Sequence, residues 1–445
     1  MKRLFVITLS MLFVFGLSAC GGEEEEVCEN RADEGVEYFF DQDQTETETI
    51  TVWLDDDDYA NALIDAFEAE NPGIRVRFQE VGSVDVRQQL ELYSGSSAVA
   101  DVVVFPHDHI GAALQSNLLY VVEGQLELDL RERMILSATE TASSCYDFDN
   151  NQVIECEGDA ERYLFGAPLS GESIAFFYNK DLLEELTGSR EPAQTFEEII
   201  EQYEEYEDVL REEYGELMIA MDVGNAYDMH FLATAFGYEL FGPEGLDSDQ
   251  ANLDSDEMIA ALEYMQNTLN PALSGFDSGD LDGEANRSLF EAGDLPYIID
   301  GPWSISRYED ADLDFGVSRI PTINGQQPIT FSGVQMAAVY SQTENEAAAF
   351  RFLEFMTSDE GLAIMYDQTN RLPALEDVSV IDAIDDDEYL PGISDQMNYS
   401  QPMPIIPEMG YFWDNAGAMY GAAWNGTMTP EEAAQEAQEG FDGSR

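Results

Sequence analysis

The pattern of apolar and polar residues after position 48 predicts alternating strands and helices. Alternation at Ile50, Val52 and Leu54 indicates a strand, and apolar residues at helical spacing over 60–67 indicate a helix that ends at 71–73. The elements predicted next are a strand over 74–78, a helix over 84–93 and a buried strand over 102–105. This order is typical of a parallel sheet covered by helices.

The remainder of the chain keeps the same alternation. Thr195 and Glu198 form a capping-box pattern that opens a long helix. The later elements predicted are helices over 259–269 and 285–292, a strand over 295–299, a turn at 324–325 and a capped helix that follows Thr429. The chain is long enough for two domains, yet it has no internal repeat and no long linker. We therefore expect it to cross between two domains more than once.

The first twenty residues have the pattern of an export signal. Lys2 and Arg3 precede an apolar stretch over 4–17, which is short for a membrane span, and Ser18 and Ala19 precede Cys20. We interpret 1–19 as a lipoprotein signal peptide and Cys20 as the lipidated first residue of the mature chain. The alternative is an ordinary secretory signal with an incidental cysteine. Residues 20–48 are acidic and polar and are predicted to form a tether.

The charge of the chain excludes two classes of partner. Of its 445 residues 92 are acidic and 18 are basic, which gives a net charge of −74. Nucleic acids and anionic membrane surfaces need clustered Lys and Arg, so neither is expected to bind. A cationic ligand such as a polyamine would suit this charge. Because the acidic residues are spread along the whole chain, we favour a carboxylate-rich surface adapted to high salt.

The cysteines indicate one disulfide and no metal site. Cys145 and Cys156 flank a turn-like cluster at 149–151, so a hairpin would bring them together in an exported protein. Cys28 has no assigned partner. The cysteines lack zinc-type spacing, and the histidines are His107, His109 and His230. No metal or other cofactor is therefore predicted.

Several segments, in a fixed order along the chain, carry a family resemblance. They are ITVWLDDD (50–57), NPGIRV (71–76), DVVVFPHD (101–108), GAPLSGE (166–172), YNKDLL (178–183), DGPW (300–303), FSGV (331–334), MPIIPEM (403–409) and FW (412–413). Each segment is weak alone, but together they cover nearly the whole mature chain. The series resembles the maltose/maltodextrin-binding proteins and related solute receptors of ABC importers.

The resemblance implies an α/β, two-lobed periplasmic-binding-protein fold, in which each lobe is a mainly parallel sheet flanked by helices. The expected first lobe comprises 49–171 and 334–378, and the expected second lobe comprises 172–333 and 379–445. A ligand would lie in the cleft between them. The implied partners are a carbohydrate and the transmembrane permease subunits of an ABC transporter. We expect a monomer, exported to the periplasm or cell surface, that touches the membrane only through its N-terminal lipid.

Sugar binding needs carboxylates for the hydroxyls and aromatic faces for the rings. The matched segments supply both kinds of side chain. The predicted ligand residues are the carboxylates Asp57, Asp108 and Glu172, the aromatic platforms Tyr227, Trp303, Trp413 and Phe105, and the apolar neighbour Met403. Tyr227, Asp108 and Phe105 are the members of this set that could equally serve as core or surface residues.

The chain also departs from the maltose binders at the ligand loops. Asp58 stands where they carry lysine, His109 and Gly417 where they carry arginine, Asn225 where they carry glutamate, and Phe105 where they carry tryptophan. The hydrogen-bonding groups at both ends of the cleft therefore differ. The sequence predicts a di- or oligosaccharide ligand but does not select maltose.

Two other functions compete with the sugar receptor. Asp57 and Glu172 could form a glycosidase pair, but no nucleophile or phosphate-loop motif accompanies them, and we predict that the chain is not an enzyme. A polyamine receptor of the same fold would need aromatic boxes with converging carboxylates. In the receptor hypothesis the lobes close about crossover segments near 171–173, 331–334 and after Pro373, because a bridging ligand stabilises the closed form.

Overall fold

A computed structural model describes the chain from Glu48 to Arg445, apart from residues 97, 149–151, 155–161, 215, 243–244, 274–275, 382–383 and 385–386. The predicted signal peptide, nearly all of the predicted tether, and Cys20, Cys28 and Cys156 lie outside the described residues. Within the described part, no helix combines the length and the apolar character that crossing a membrane requires.

The strands fall into two main sheets and two short pairs. In chain order they are β1 (Glu48–Leu54), β2 (Ile74–Glu80), β3 (Val102–Pro106), β4 (Ser143–Ser144), β5 (Tyr146–Asp147), β6 (Gln152–Val153), β7 (Tyr163–Leu164), β8 (Ala167–Ser173), β9 (Ala175–Asn179), β10 (Ile219–Ala220), β11 (Tyr297–Asp300), β12 (Phe315–Ser318), β13 (Thr330–Val339) and β14 (Ser400–Pro402).

Helices cover both main sheets. In chain order they are α1 (Asp57–Glu70), α2 (Val86–Tyr93), α3 (Ile110–Gln115), α4 (Gly124–Arg133), α5 (Leu136–Thr141), α6 (Lys180–Thr187), α7 (Phe196–Glu213), α8 (Ala226–Ala235), α9 (Asp256–Tyr264), α10 (Asn270–Ala272), α11 (Gly283–Glu291), α12 (Ile305–Asp310), α13 (Glu346–Met356), α14 (Asp359–Thr369), α15 (Leu390–Met397), α16 (Met409–Trp424) and α17 (Pro430–Ser444). A π-helical segment (Met265–Leu269) joins α9 to α10.

Both main sheets are mixed. The first has the order β14-β13-β3-β1-β2, with β8 also paired to β13. Its β1–β2, β1–β3 and β13–β14 pairs are parallel, whereas β13 is antiparallel to β3 and β8. The second has the order β10-β11-β9-β12, and only its β10–β11 pair is parallel. The predicted two-lobed α/β architecture is confirmed, but the expectation of a mainly parallel second sheet is wrong, because β9 runs against both of its neighbours.

Two separate hydrophobic cores define the lobes. The first core contains Trp53, Phe105 and Met336, and the second contains Ile174 and Phe331. β13 therefore begins in the second core and ends in the first, so one strand serves both lobes. Burial of these apolar side chains is what stabilises each lobe.

Within the described residues, the chain crosses between the cores in three places. β8 carries it from Leu169 in the first core to Ile174 in the second, and β13 carries it back. Ile384 packs in the first core and Tyr389 in the second, so the third crossing lies between them. The first-lobe core extends through Ile384, beyond the boundary expected after residue 378, and the expected domain bounds stay a prediction.

The local signals in the sequence match the elements that form. The Thr195 hydroxyl accepts a hydrogen bond from the Glu198 amide at the start of α7. Asn324 and Gly325 both have positive φ, 50° and 72°, between the bridged residues Ile323 and Gln326, which is the two-residue turn that asparagine and glycine favour. Near the predicted disulfide, β5 and β6 pair as a hairpin. Cys145 is disulfide-bonded, but Cys156 lies outside the described residues, so their pairing stays a prediction.

The capping box of α17 gives a direct test of the last helix. Thr429 accepts from the Glu432 amide, and the Glu432 carboxylate accepts from the Thr429 amide. Thr429→Ala should lower the free energy of unfolding by about 0.5–2 kcal/mol in chemical denaturation, because amides of the first turn lose their partner. Thr429→Ser keeps the hydroxyl and should stay within a few tenths of a kcal/mol of the parent. Equal losses in both variants would contradict this role.

Candidate functional site

Charged residues meet where the first-lobe strands end. Asp55 directly follows β1, and both of its oxygens accept from Arg371, Oδ1 from Nη1 at 3.0 Å and Oδ2 from Nη2 at 2.8 Å. Burial acts to raise the pKa of the Asp55 carboxyl, but the charge and hydrogen bonds of Arg371 outweigh it and hold that pKa below its usual value. The pair is a bidentate, mostly buried ion pair.

Glu172 lies beside this pair on β8. Its side chain is almost wholly buried, with the residue 5% exposed, and its Oε1 accepts from the Gln335 Nε2 at 2.8 Å. The Arg371 Nε lies 3.8 Å from Oε2, which is an ion-pair distance without a hydrogen bond. Burial raises the pKa of the Glu172 carboxyl, and Arg371 and Gln335 oppose that rise. Glu172 thus lies on one crossing segment and contacts Gln335 on a second.

His107 fixes the position of the crossing strands from the other side. The Val334 amide donates to its Nδ1 at 3.0 Å, so Nε2 carries the hydrogen and donates to the Met403 carbonyl at 3.0 Å. Burial lowers the pKa of this imidazole, which keeps the ring neutral. His107, in the helical turn that follows β3 of the first lobe, is thereby hydrogen-bonded to β13 and to the segment that carries Met403.

Four aromatic rings cluster on the second lobe. The Tyr227 ring centroid lies 6.5 Å from that of Trp303, 6.4 Å from that of Trp413 and 6.2 Å from that of Phe331. Trp303, Trp413 and Tyr227 are only partly buried. Burial raises the pKa of Tyr227 well above its usual value. The negative charges of Glu172, Asp228 and Asp108 raise it further, because these carboxylates lie near the Tyr227 hydroxyl.

Asp300 holds the Trp303 ring in place. It is 3% exposed and accepts from the Trp303 Nε1 at 3.1 Å, the Tyr308 hydroxyl at 2.6 Å and the Gly301 amide at 2.9 Å. Arg287 completes the shell with an ion pair to the same carboxylate at 3.1 Å. These donors satisfy a buried charge and leave the indole with one fixed orientation.

A direct hydrogen bond joins the two lobes at the aromatic cluster. The Trp413 Nε1, on α16, donates to the Asp108 Oδ2 at 3.0 Å, and Asp108 follows β3 of the first lobe. The second oxygen of Asp108 is buried and has no hydrogen-bond partner among the described residues. The same holds for Glu172 Oε2, Gln335 Oε1 and Arg371 Nε. Buried polar atoms without partners are costly, so this set is suited to a ligand that brings its own hydroxyls.

Most of the predicted ligand residues meet here. Asp108, Glu172, Tyr227, Trp303 and Trp413 converge, and Met403 lies beside them, since a side chain added at Gly333 would meet both Met403 and Glu172. Their contact with a ligand remains a prediction. Asp57 is exposed in the first turn of α1, and its role is also untested.

Phe105 has a different setting from the other predicted ligand residues. It is 1% exposed, belongs to the first-lobe core, and stacks on His109 with ring centroids 6.3 Å apart. Its predicted role as an aromatic platform for a sugar stays a prediction.

Sequence reasoning missed Asp55, Arg371, Gln335 and Asp300. The Asp55 signal was present, because it directly follows a predicted strand, but Arg371 is distant in sequence and nothing local marks it as its partner. Among the described residues, no group of three or more His, Cys, Asp or Glu side chains is arranged to hold a metal ion.

Comparison with known proteins gives a family match and a fold match. The family model for the bacterial extracellular solute-binding proteins matches residues 53–363. A crystal structure of a cyclo/maltodextrin-binding protein complexed with maltotetraose is 24% identical, with a TM-score of 0.68 over 90% of this chain and 98% of that one. The crystal structure of MalX from Streptococcus pneumoniae with maltopentaose is 23% identical, with a TM-score of 0.75 over 89% of this chain and 100% of that one. These likenesses confirm the predicted fold.

Curated relatives match along most of their length. A maltooligosaccharide ABC transporter solute-binding lipoprotein of Streptococcus pneumoniae is 27% identical over 97% of this chain and 93% of its own. A maltotriose-binding protein of Pyrococcus abyssi is 27% identical over 84% of this chain and 76% of its own. A galactooligosaccharide-binding protein of Bacillus subtilis is 24% identical over 98% of this chain and 96% of its own.

The Asp300 shell can be tested through stability. Asp300→Asn removes the charge that pairs with Arg287 and weakens the hydrogen bonds from Tyr308 and Trp303. Because Arg287 is partly exposed, we expect a loss of about 3 kcal/mol or less in the free energy of unfolding, together with a change in tryptophan fluorescence. The exposed neighbour Asp310 supplies the control, and Asp310→Asn should change stability by at most about 0.5 kcal/mol. Indistinguishable variants would refute the anchoring role.

Proposed function

Because the chain belongs to the bacterial extracellular solute-binding proteins, we propose that it captures an oligosaccharide of the maltooligosaccharide type for an ABC importer. The single observation that carries the proposal is the convergence of Asp108, Glu172, Tyr227, Trp303 and Trp413 between the two cores. The names of relatives that bind maltooligosaccharides, maltotriose and maltodextrin support the same class of ligand.

The chemistry of the cleft suits a sugar. The Tyr227, Trp303 and Trp413 rings supply apolar faces for the C–H surfaces of pyranose rings. The unpartnered atoms of Asp108, Glu172 and Gln335 accept hydrogen bonds, and the Arg371 Nε donates one. A hydroxyl both donates and accepts, so a sugar can satisfy atoms of both kinds.

Closure of the lobes is the proposed mechanism. The ligand would contact Asp108 from the first lobe, Glu172 from the β8 crossing, and Trp303 and Tyr227 from the second lobe. It would make both sets of contacts only when the lobes are together, so its binding free energy favours the closed form. The closed surface would then be recognised by the transmembrane permease.

Capture rather than catalysis is the expected role of the site. Membership of a solute-binding family supports the prediction that the chain is not an enzyme. The two carboxylates considered for a glycosidase also differ in setting, because Asp57 is exposed on α1 while Glu172 is buried on β8.

The proposed site of action is outside the cytoplasmic membrane, with Cys20 as the lipid-bearing residue. The family's extracellular description and the lipoprotein relatives support this. The acidic composition would suit a high-salt environment.

Ligand binding is tested by isothermal titration with maltotetraose in high-salt buffer. Saturation at a hundredfold excess over Kd should stabilise the protein by about 2.7 kcal/mol, and small-angle scattering should show compaction. Trp303→Ala should weaken binding by about 30-fold, or roughly 2 kcal/mol, because it removes an aromatic platform. Tyr411→Ala, at an exposed aromatic on the same helix as Trp413, should leave Kd unchanged.

The ligand panel also includes a galactooligosaccharide, putrescine and spermidine. Stabilisation by the polyamines alone would overturn the sugar assignment while keeping a receptor function. A response to none of these compounds, or hydrolysis of the sugar, would overturn the proposed function.

The anchor is tested by expressing the full chain in a bacterial host. The parent should partition into the membrane fraction and incorporate labelled fatty acid, whereas Cys20→Ser should lose the label and the membrane association. Cys28→Ser serves as the control and should behave as the parent. Labelling of Cys20→Ser would rule out Cys20 as the lipidated residue.

A further inference from the structure

Two crossing strands, β8 and β13, and the first-lobe segment 372–374 run side by side at the junction of the lobes. β8 pairs with β13 on one edge, with Glu172 opposite Gly333. On its other edge the Gly171 amide donates to the Leu372 carbonyl at 3.0 Å, and the Ala374 amide donates to the Leu169 carbonyl at 2.9 Å. Arg371 is therefore the residue at which the chain enters this three-stranded arrangement.

The Arg371 guanidinium lies between two carboxylates, those of Asp55 and Glu172. Both Nη atoms are occupied by Asp55, so the fork is fixed against the end of β1. That geometry directs Nε toward the Glu172 Oε2, 3.8 Å away, and the Arg371 side chain is only 11% exposed. Neither Nε nor Oε2 has another partner among the described residues. The donor and the acceptor are thus neighbours across a gap that is too wide for a hydrogen bond.

We propose that Arg371 is a positioning residue for Glu172: held by Asp55, it keeps the Glu172 carboxylate charged and oriented as an acceptor for a ligand hydroxyl. The proposal deepens the proposed function and rests on it where a sugar is concerned. Gln335 holds the other oxygen, at 2.8 Å, so the carboxylate is constrained from both sides. A hydroxyl oxygen placed near the gap can accept from Nε and donate to Oε2 at once.

The need for such a residue follows from burial. A carboxylate this deeply buried is expected to bind a proton unless a positive charge lies near it. The groups that face Glu172 are Arg371 from the segment that leads into 372–374, Asp55 from the end of β1, Tyr227 from α8 and the neutral Gln335 from β13. Tyr227 is uncharged in the accessible pH range and Asp55 is negative, so Arg371 is the stabilising charge within this set.

The first test needs no ligand. Burial raises the folded-state pKa of Glu172. At pH values between the unfolded-state and the folded-state pKa, the folded protein therefore binds a proton that the unfolded protein has lost. The free energy of unfolding falls as pH rises through this range. The Glu172 contribution is the difference between each protein and its Glu172→Gln derivative, measured by denaturation across pH. In the charge-neutral pair D55N/R371Q, the pH at which this contribution levels off should move upward by about 1–3 units relative to the parent.

Two variants separate positioning from simple support. R371K keeps a positive charge and should return the midpoint close to that of the parent, although its ammonium cannot pair with both Asp55 oxygens. R351Q removes an arginine that pairs on the surface with Glu354, and it should leave the midpoint unchanged. D55N/R371Q leaves no unpaired Asp55 charge, which protects folding if R371Q alone is unstable. The proposal would be overturned if the Glu172 contribution to the unfolding free energy had the same pH midpoint in the parent and in D55N/R371Q. A loss of unfolding free energy in D55N/R371Q that is equal at all pH values would overturn it too.

The second test follows maltotetraose affinity against pH in the same proteins. The midpoint at which Kd weakens on acidification should shift upward in D55N/R371Q and not in R371K. If the parent binds no maltotetraose, the proposed function fails, while the ligand-free titration still decides the role of Arg371. If the parent binds and the affinity profiles of all variants coincide, the positioning role fails and the proposed function stands.

Discussion

The sharing of β13 by two hydrophobic cores is the constraint on which the rest of the structure depends. A strand that places Phe331 in one core and Met336 in the other cannot shift register without disturbing both. β8 and the 372–374 segment are bound to it in series. The residues that face the cleft from these segments, Glu172 and Gln335 among them, therefore have positions set by two cores at once. The candidate site at the junction is therefore positioned by both lobes.

Acidic residues far outnumber basic residues in this molecule, and the two kinds have different roles. The net charge of −74 is carried largely by solvated carboxylates, which salt screens. The few arginines matter most where carboxylates are buried: Arg371 faces Asp55 and Glu172, and Arg287 faces Asp300. In both cases the arginine stabilises a carboxylate that orients a group at the cleft. With so few basic residues, the loss of either has no nearby substitute among the contacts observed.

The sequence predicted the lobes and much of the cleft, because both depend on local patterns. Strand alternation placed β1, β2 and β3, and matched segments brought Asp108, Glu172, Trp303 and Trp413 into one site. The antiparallel direction of β9 and the Asp55–Arg371 pair were missed, since each depends on residues far apart in sequence. Phe105 packs in the first-lobe core, and its contact with a sugar stays a prediction, because an aromatic residue at the end of a buried strand has the same sequence pattern whether it faces a core or a cleft.

Two of the departures from the maltose binders, Gly417 and Asn225, have physical reasons in the fold. A side chain at Gly417 would meet the Gly224 carbonyl at 2.8 Å, so α16 approaches the turn before α8 too closely for an arginine there. Asn225 caps α8 by accepting from the Tyr227 amide at 2.9 Å, which fixes the backbone beneath the Tyr227 ring. Groups that would reach a ligand at these two positions are thus replaced by groups that shape α8 and α16. If the chain binds a sugar as proposed, recognition is concentrated on the rings of Tyr227, Trp303 and Trp413 and on the charged cluster beside the crossings. Aromatic faces tolerate several sugars, so in that proposal the discrimination between sugars depends on the few fixed acceptors beside Arg371.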